Sequence, residues 1–221
     1  MTDTQLTLAI LGGTGHEGSG IAFRAALAGW KVTLGSRDAA KAVAKAEELN
    51  ALAGSSNISG AGLLEAAQQA SIVVLAVPYA AQISTAIQVR PALEGKVLID
   101  VTVPLKPPKV SVVQMSPEGS CTVALQQRLG TGVRVVSAFQ NVSAHALIAN
   151  DKPVDCDVLV CSDDPEAKAV TKELITQMGL VAIDAGPLAN SVVSEALTSV
   201  LIHLNKTYKV QASGIRITGL C

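Results

Sequence analysis

A glycine run near the start of the chain, Gly13-x-Gly15-x-x-Gly18, has the spacing of a phosphate-binding turn. It follows a short apolar run at residues 6–11 and opens a stretch, residues 21–29, with helical spacing of apolar residues. Glycines at these positions allow a tight turn, close approach of the backbone to a pyrophosphate, and close helix–strand packing. The alternative is a glycine turn without a ligand, which the flanking strand and helix patterns disfavour. The predicted pyrophosphate-binding residues are Gly13, Thr14, Gly15, His16 and Glu17.

Ser36 and Arg37 end the second predicted strand, where NAD-binding proteins place a carboxylate on the ribose 2′-hydroxyl. Ser36 can donate a hydrogen bond to a phosphate oxygen, Arg37 can pair with that phosphate, and Lys41 adds a further cation one helical turn later. Asp38 could be the ribose-binding acid instead, but its place before an Ala/Lys-rich helix favours an N-cap. The pattern therefore predicts NADP(H), with a solvated helix start as the alternative role for the two cations.

The segments that follow the later predicted strands, residues 77–79, 100–104 and 137–143, are expected to line the ligand cleft. They contain no Tyr-x-x-x-Lys pair, because Tyr79 is followed by Ala-Ala-Gln-Ile, and no His-Asp pair. His145 could act as a base, but a lone loop histidine is more often an ordinary hydrogen-bonded residue. We therefore expect no catalytic acid or base. A reaction between two carriers that hold their own reactive atoms needs mainly proximity and orientation from the protein.

Short apolar strand patterns alternate with helical patterns along most of the chain. The strand patterns are continuous rather than alternating, which indicates strands covered on both faces, as in a parallel sheet. The sequence predicts an α/β fold: a Rossmann-type doubly wound parallel sheet with a small C-terminal α+β domain. We expect an NADP-binding domain over residues 1–140 and a C-terminal domain, with cleft and dimer contacts, over residues 141–221. The proline-rich segment 103–117 is expected to be an ordered loop with little helix.

Composition limits the partners of this chain of 221 residues. The net charge is −1, and no dense Lys/Arg run suggests nucleic acid or a membrane surface as a partner. Apolar residues make up 49% but aromatic residues only 2%, so the core must be built from small aliphatic side chains. No leader pattern or spanning apolar run is present, and cytoplasmic location is expected. Four cysteines without metal-site spacing are expected to be reduced thiols: Cys121, Cys156, Cys161 and Cys221.

Five motifs together carry a resemblance to a known family: residues 11–18 (LGGTGHEG), 35–37 (GSR), 77–78 (VP), 137–139 (SAF) and 184–188 (DAGPL). With them the chain resembles the F420-dependent NADP oxidoreductases almost from end to end. The resemblance implies hydride transfer between C4 of the nicotinamide and C5 of the deazaflavin coenzyme F420. It also implies a cleft between the two domains and a homodimer.

Carried over by position, the resemblance implies a role for further residues. Val77, Pro78 and Ala138 would lie on the nicotinamide side of the cleft, and Gln140, Val142 and Leu220 would face the deazaflavin. Some family members have His where Gln140 stands, and the tail from Thr207 matches poorly. Two alternatives therefore stay open. One is an NADPH-dependent flavin reductase, or flavin-linked ferric reductase. The other is a non-catalytic NADP(H)-sensing module whose helix at residues 188–208 recruits a partner.

Replacement of Arg37 by alanine tests whether the 2′-phosphate is read there. We expect the Arg37→Ala variant to bind NADPH more weakly by about 2 kcal/mol, because a charge-assisted hydrogen bond is lost. NADH lacks the 2′-phosphate and should lose far less affinity. Dissociation constants for both nucleotides, measured on both proteins, check this expectation. Equal losses for NADPH and NADH would show that the phosphate is not recognised by this side chain.

Overall fold

The computed structural model describes residues 7–149 and 153–220, which form a parallel sheet covered by helices on both faces. The strands are β1 (Thr7–Leu11), β2 (Lys31–Ser36), β3 (Ile58–Gly62), β4 (Ile72–Leu75), β5 (Val97–Asp100), β6 (Arg134–Ser137), β7 (Asp157–Val160) and β8 (Val181–Asp184). The helices are α1 (His16–Leu27), α2 (Ala39–Ala53), α3 (Leu63–Gln69), α4 (Gln82–Val89), α5 (Cys121–Leu129), α6 (Ala144–Ile148), α7 (Pro165–Gln177) and α8 (Ser191–Tyr208).

Six parallel strands form the main sheet in the order β3-β2-β1-β4-β5-β6. This is the 3-2-1-4-5-6 order of the doubly wound dinucleotide fold, whose ligand crevice lies where the strand order reverses, between β1 and β4. Leu11, the last residue of β1, pairs with Gly35 of β2 on one side and with Leu75 of β4 on the other. The predicted Rossmann-type sheet is confirmed.

The core divides along the two faces of the sheet, since side chains of a strand alternate between faces. Leu8 and Ile10 of β1 belong to one buried cluster, which includes residues of α1, α2, α6 and α7. Ala9 and Leu11 belong to the other, with residues of α3, α4 and α5. Both faces are apolar, which explains why the strand sequences read as continuous apolar runs.

The C-terminal part of the chain is joined to the edge of the main sheet. β7 and β8 form a parallel pair, connected by α7. Ser137 of β6 and Cys161 exchange two backbone hydrogen bonds of 2.9 and 3.0 Å in an antiparallel bridge. Val158 and Val160 of β7 share a buried cluster with Val136 of β6. The apolar core therefore continues past residue 140, and the predicted domain boundary there stays a prediction.

Local sequence signals mark where α2 and α7 begin and where α2 ends. The Asp38 carboxylate accepts hydrogen bonds from the backbone N–H groups of Ala40 and Lys41, which confirms the predicted N-cap of α2. Gly54 ends α2 in the left-handed conformation. Asp164 caps α7, with Pro165 in the first turn.

The predicted strands and helices are present to within a few residues, but α4, α5 and α6 were not predicted. The segment 101–120 contains no helix, as expected from its prolines. Cys121, Cys156 and Cys161 are buried free thiols. Leu6, the first residue of the apolar run at 6–11, and the fourth cysteine, Cys221, lie outside the described residues. Over the ranges 7–149 and 153–220, no helix is long and apolar enough to cross a membrane.

Two glycines on β3 make a matched pair for testing how closely α2 packs on the sheet. A Cβ on Gly60 would lie 2.2 Å from the Val43 backbone nitrogen, whereas a Cβ on Gly62 would meet nothing within 4 Å. We expect Gly60→Ala to lower the free energy of unfolding by roughly 1–3 kcal/mol, since the obstructing atoms are backbone. Gly62→Ala should change it by less than about 0.5 kcal/mol. Urea unfolding measures both, and equal midpoints would contradict the close packing.

Candidate functional site

The glycine turn joins the carboxyl end of β1 to the start of α1. Gly12, at φ +82°, makes the sharp bend, so the positive φ lies one residue before Gly13. A Cβ on Gly13 would lie 2.7 Å from Leu34 of β2, and one on Gly18 would lie 2.9 Å from the Gly12 carbonyl oxygen. Both glycines therefore allow close packing between elements. At Gly15 the nearest atom would be 3.4 Å from a Cβ. This exposed position leaves room for a ligand to approach the backbone.

The Ser36-Arg37 pair lies at the carboxyl end of β2, next to the glycine turn. The Ser36 hydroxyl accepts a hydrogen bond of 3.2 Å from the Asp38 backbone N–H. Arg37 and Lys41 are exposed, and Lys41 Nζ lies 3.8 Å from Asp38 Oδ2. Because Asp38 serves as the helix cap, its carboxylate is occupied by its own helix. Among the described residues, Arg37 and Lys41 form no ion pair shorter than 3.8 Å, so both can bind an anion.

A cavity of about 540 Å³ lies beyond the turn, over the carboxyl ends of β4, β5 and β6. We refer to it as the cleft. Its walls are mainly apolar, and among the described lining residues three carry groups that can ionise, while no Lys or Arg is present. The lining residues are Gly15, His16, Glu17, Ala76, Val77, Pro78, Tyr79, Val101, Thr102, Val103, Leu105, Pro107, Val110, Phe139, Gln140, Val142 and Thr198.

The chain turns sharply into the cleft after β6. Phe139 has a φ of +73°, a conformation that is uncommon for a bulky residue and that concentrates at functional sites. Gln140 follows, and its Nε2 donates a 2.8 Å hydrogen bond to the backbone carbonyl oxygen of Asp100. The Thr198 hydroxyl donates a 2.6 Å hydrogen bond to the Gln140 carbonyl oxygen. Contacts from β5 and α8 thus hold the Gln140 side chain and backbone in place.

Three residues that line the cleft each carry a buried side-chain oxygen without a hydrogen-bond partner: Glu17 Oε1, Thr102 Oγ1 and Gln140 Oε1. Unpaired buried polar atoms are costly and rare, so a concentration of them in one cavity favours a polar ligand there. Burial also raises the pKa of Glu17 to about 8. The glycine spacing predicts a role for the backbone of Glu17 but none for its side chain, since no spacing rule says which way that side chain points.

A buried polar network behind the cleft is, by contrast, well satisfied. The Asp100 carboxylate accepts hydrogen bonds from Gln82 Nε2 and the Thr122 hydroxyl, at 2.5 and 2.9 Å. Burial raises the pKa of Asp100 to about 6. Glu195 of α8 accepts from the Ser120 hydroxyl and from the backbone N–H groups of Cys121 and Thr122. Glu195 therefore ties α8, which carries Thr198, to the first turn of α5.

The structure brings together most of the predicted site residues but not all of them. Val77, Pro78, Gln140 and Val142 line the cleft with His16 and Glu17. Ala138 is fully buried in the core and is not among the described residues of the cleft wall, whereas its neighbour Phe139 is.

Two further residues lie elsewhere. Leu220 is exposed and is not among the described residues of the cleft wall. His145 lines a neighbouring cavity of about 240 Å³ that also includes Thr14, His16 and Ser19. That position is beside the glycine turn, so the structure gives His145 no contact with the cleft itself.

Comparison with known proteins gives consistent matches. Residues 7–104 match the family described as NADP oxidoreductase, coenzyme F420-dependent. The F420-dependent NADP reductase of Methanothermobacter marburgensis is 41% identical, over 97% of this chain and 99% of that protein. The F420-dependent NADP reductase of Methanocaldococcus jannaschii is 42% identical over the same shares. The crystal structure of a provisionally named F420-dependent NADP-reductase from Arthrobacter superposes with a TM-score of 0.78 and 25% identity, covering 96% and 98% of the two chains.

The contact between α8 and α5 can be tested through Glu195. In Glu195→Gln one acceptor oxygen becomes an NH₂ group, which cannot accept from the buried donors that face it. We expect the free energy of unfolding to fall by about 1–3 kcal/mol. Glu47→Gln, at an exposed position on α2, is the matched control and should change it by less than about 0.5 kcal/mol. If urea unfolding gave both variants the stability of the parent, the network would not be a structural requirement.

Proposed function

Because the chain belongs to the family of coenzyme F420-dependent NADP oxidoreductases, we propose that it catalyses hydride transfer between NADP(H) and coenzyme F420. One observation carries the proposal beyond the family match: the order of chemical groups along the carboxyl edge of the sheet. Arg37 and Lys41 follow β2, the glycine turn follows β1, and the mainly apolar cleft follows β4, β5 and β6. An extended dinucleotide needs these three environments in this order.

The first two environments suit the phosphates of NADP(H). We propose that Ser36, Arg37 and Lys41 hold the 2′-phosphate. The pyrophosphate would lie on the N-terminal turn of α1, against the backbone of residues 13–17, where the helix dipole favours negative charge. Neighbouring strands lie about 4.8 Å apart, so the two sites are adjacent. The nicotinamide then reaches the cleft next to β4.

The cleft suits two flat rings in contact. We propose that Val77 and Pro78 support the nicotinamide, and that Gln140 and Val142 face the deazaflavin. The two carriers supply the exchanging carbon atoms, C4 and C5, so the protein must hold them together and exclude water. The apolar wall serves the exclusion of water. We propose that the unpaired oxygens of Thr102 and Gln140 accept hydrogen bonds from ring N–H groups or from the carboxamide.

The two alternative functions are less well supported. A flavin reductase or a non-catalytic sensing module would fit the dinucleotide site equally well. However, the relatives that match almost the full chain are named F420-dependent NADP reductases. The sequence similarity to these relatives extends past the dinucleotide site into the C-terminal part of the chain. This supports a shared second substrate.

We further propose a homodimer that forms through α8. Val193 and Val200 on this helix are exposed by 59% and 43% of their surface and lie seven residues apart on one stripe. An exposed apolar stripe favours a protein contact, and a second copy of the chain is the proposed partner. The cytoplasm is the proposed location, since the three described cysteines are free thiols, as in a reducing compartment.

The proposed reaction can be tested by mixing the protein with NADPH and coenzyme F420. We expect the visible absorbance of the deazaflavin and the near-ultraviolet absorbance of NADPH to fall together in a 1:1 ratio, because one hydride passes between the two. FMN and FAD in place of F420 serve as controls and should give no comparable NADPH oxidation. Oxidation of NADPH with the flavins alone would favour the flavin reductase. Tight NADPH binding without turnover of any acceptor would favour the sensing module.

A further inference from the structure

Glu17 is the one carboxyl side chain among the described residues that line the cleft. It lies in the first turn of α1, and its Oε1 is buried without a hydrogen-bond partner. Most buried carboxyl groups are paired with a cation or receive several hydrogen bonds, as Asp100 and Glu195 do here. Glu17 has neither form of support at this oxygen. It therefore differs from Asp100 and Glu195 in lining the cleft and in having a buried oxygen without a hydrogen-bond partner.

The charged and titratable groups around Glu17 do not neutralise it. His16 and Tyr79 are the other ionisable residues of the cleft wall in the described ranges. Arg24, further along α1, donates hydrogen bonds to the carbonyl oxygens of Leu147 and Ala146. Three other titratable residues lie on the elements around the cleft. His145 of α6 lines the neighbouring cavity, the Asp100 carbonyl accepts from Gln140, and Glu195 of α8 accepts from the first turn of α5. No described cation forms an ion pair with Glu17.

We propose that the protonation of Glu17 is coupled to the redox state of the nicotinamide: the carboxyl is protonated beside NADPH and ionised beside NADP⁺. This inference rests on the proposed function, which puts the nicotinamide next to Val77 and Pro78 in the cleft that Glu17 also lines. The dihydronicotinamide ring is neutral and adds no partner for a carboxylate. The oxidised ring is a cation, and an opposite charge within a few ångströms favours the ionised form of a carboxyl group. Burial, which raises the pKa of Glu17 to about 8, keeps the group protonated before that charge appears.

The coupling agrees with the proton balance of the proposed reaction. NADPH, F420 and one proton give NADP⁺ and reduced F420. The hydride carries two electrons from C4 to C5, the C4–H bond breaks, and a C5–H bond forms. A proton must also reach a ring nitrogen of the deazaflavin. Glu17 would pass its O–H proton, directly or through water, to that ring nitrogen as positive charge forms on the nicotinamide. The carboxylate would take up a proton from the bulk solvent when NADP⁺ leaves.

Isothermal titration calorimetry of nucleotide binding tests this coupling without any turnover. Titrations at pH 7 in two buffers of different ionisation enthalpy give the number of protons released for each nucleotide. We expect a release approaching one proton per site for NADP⁺ and close to none for NADPH. Because NADP⁺ prefers the ionised carboxylate, its affinity should rise up to about tenfold per pH unit between pH 6.5 and 8 and then level off. NADPH affinity should stay constant over that range.

The Glu17→Gln variant should remove the difference between the nucleotides. It keeps the size and polarity of the side chain but cannot ionise, so the ratio of the two affinities should lose its pH dependence and proton release on NADP⁺ binding should vanish. Glu47→Gln, exposed on α2, is the matched control and should behave like the parent protein. Equal proton release for both nucleotides in the parent protein would overturn the proposal for Glu17 alone. Failure to bind either nucleotide would instead contradict the proposed function.

Infrared spectroscopy provides a readout that does not need a folded variant. A protonated carboxyl group absorbs at higher wavenumber than a carboxylate, in a region with little other protein absorbance. We expect the parent protein at pH 7 to lose one such band when NADP⁺ is added and to keep it when NADPH is added. An unchanged band with NADP⁺ bound would overturn the coupling even if Glu17→Gln did not fold.

Discussion

Contact between backbones at the glycine turn sets the position of everything else in the site. A Cβ on Gly12 would lie 2.4 Å from the Ala76 carbonyl oxygen, and one on Gly18 would lie 2.9 Å from the Gly12 carbonyl oxygen. Side chains at these positions would push α1 away from β1 and β4. With glycines, α1 begins directly over the sheet edge at the point where the strand order reverses. Arg37 and Lys41, which follow β2, and the cleft, which follows β4, then lie on either side of the N-terminus of α1.

Polar groups near this edge fall into two kinds. Asp100 and Glu195 are buried and receive hydrogen bonds from several donors, so their role is to hold β5, α5 and α8 together. Glu17, Thr102 and Gln140 each leave a buried oxygen unpaired in the cleft. A folded protein rarely tolerates such atoms unless a ligand or water meets them. The same polar chemistry thus holds elements together behind the cleft wall and leaves acceptors unpaired in residues that line it.

Sequence patterns were sufficient for the parts of the site that depend on local rules. Glycine spacing located the turn, and a short polar residue before an Ala/Lys-rich stretch identified the Asp38 cap. Those rules do not predict the direction in which a side chain points. Ala138 and Phe139 are neighbours, yet only Phe139 is among the described residues of the cleft wall, and no local pattern predicts its positive φ. The short helices α4, α5 and α6 depend on tertiary packing more than on periodicity, and their windows are too short for a clear pattern.

The protonation state of Glu17 follows from a competition between two effects of its position. The positive end of α1 favours a carboxylate, but this effect is worth only about 0.3–1 kcal/mol, less than one unit of pKa. Burial acts in the opposite direction and raises the pKa to about 8, several times the helix effect. A further positive charge of unit size in the cleft, close to the unpaired oxygen, is large enough to reverse the balance. A carboxyl group whose pKa lies close to the ambient pH can take up and release a proton as the nicotinamide changes charge. A strongly acidic or strongly basic group cannot.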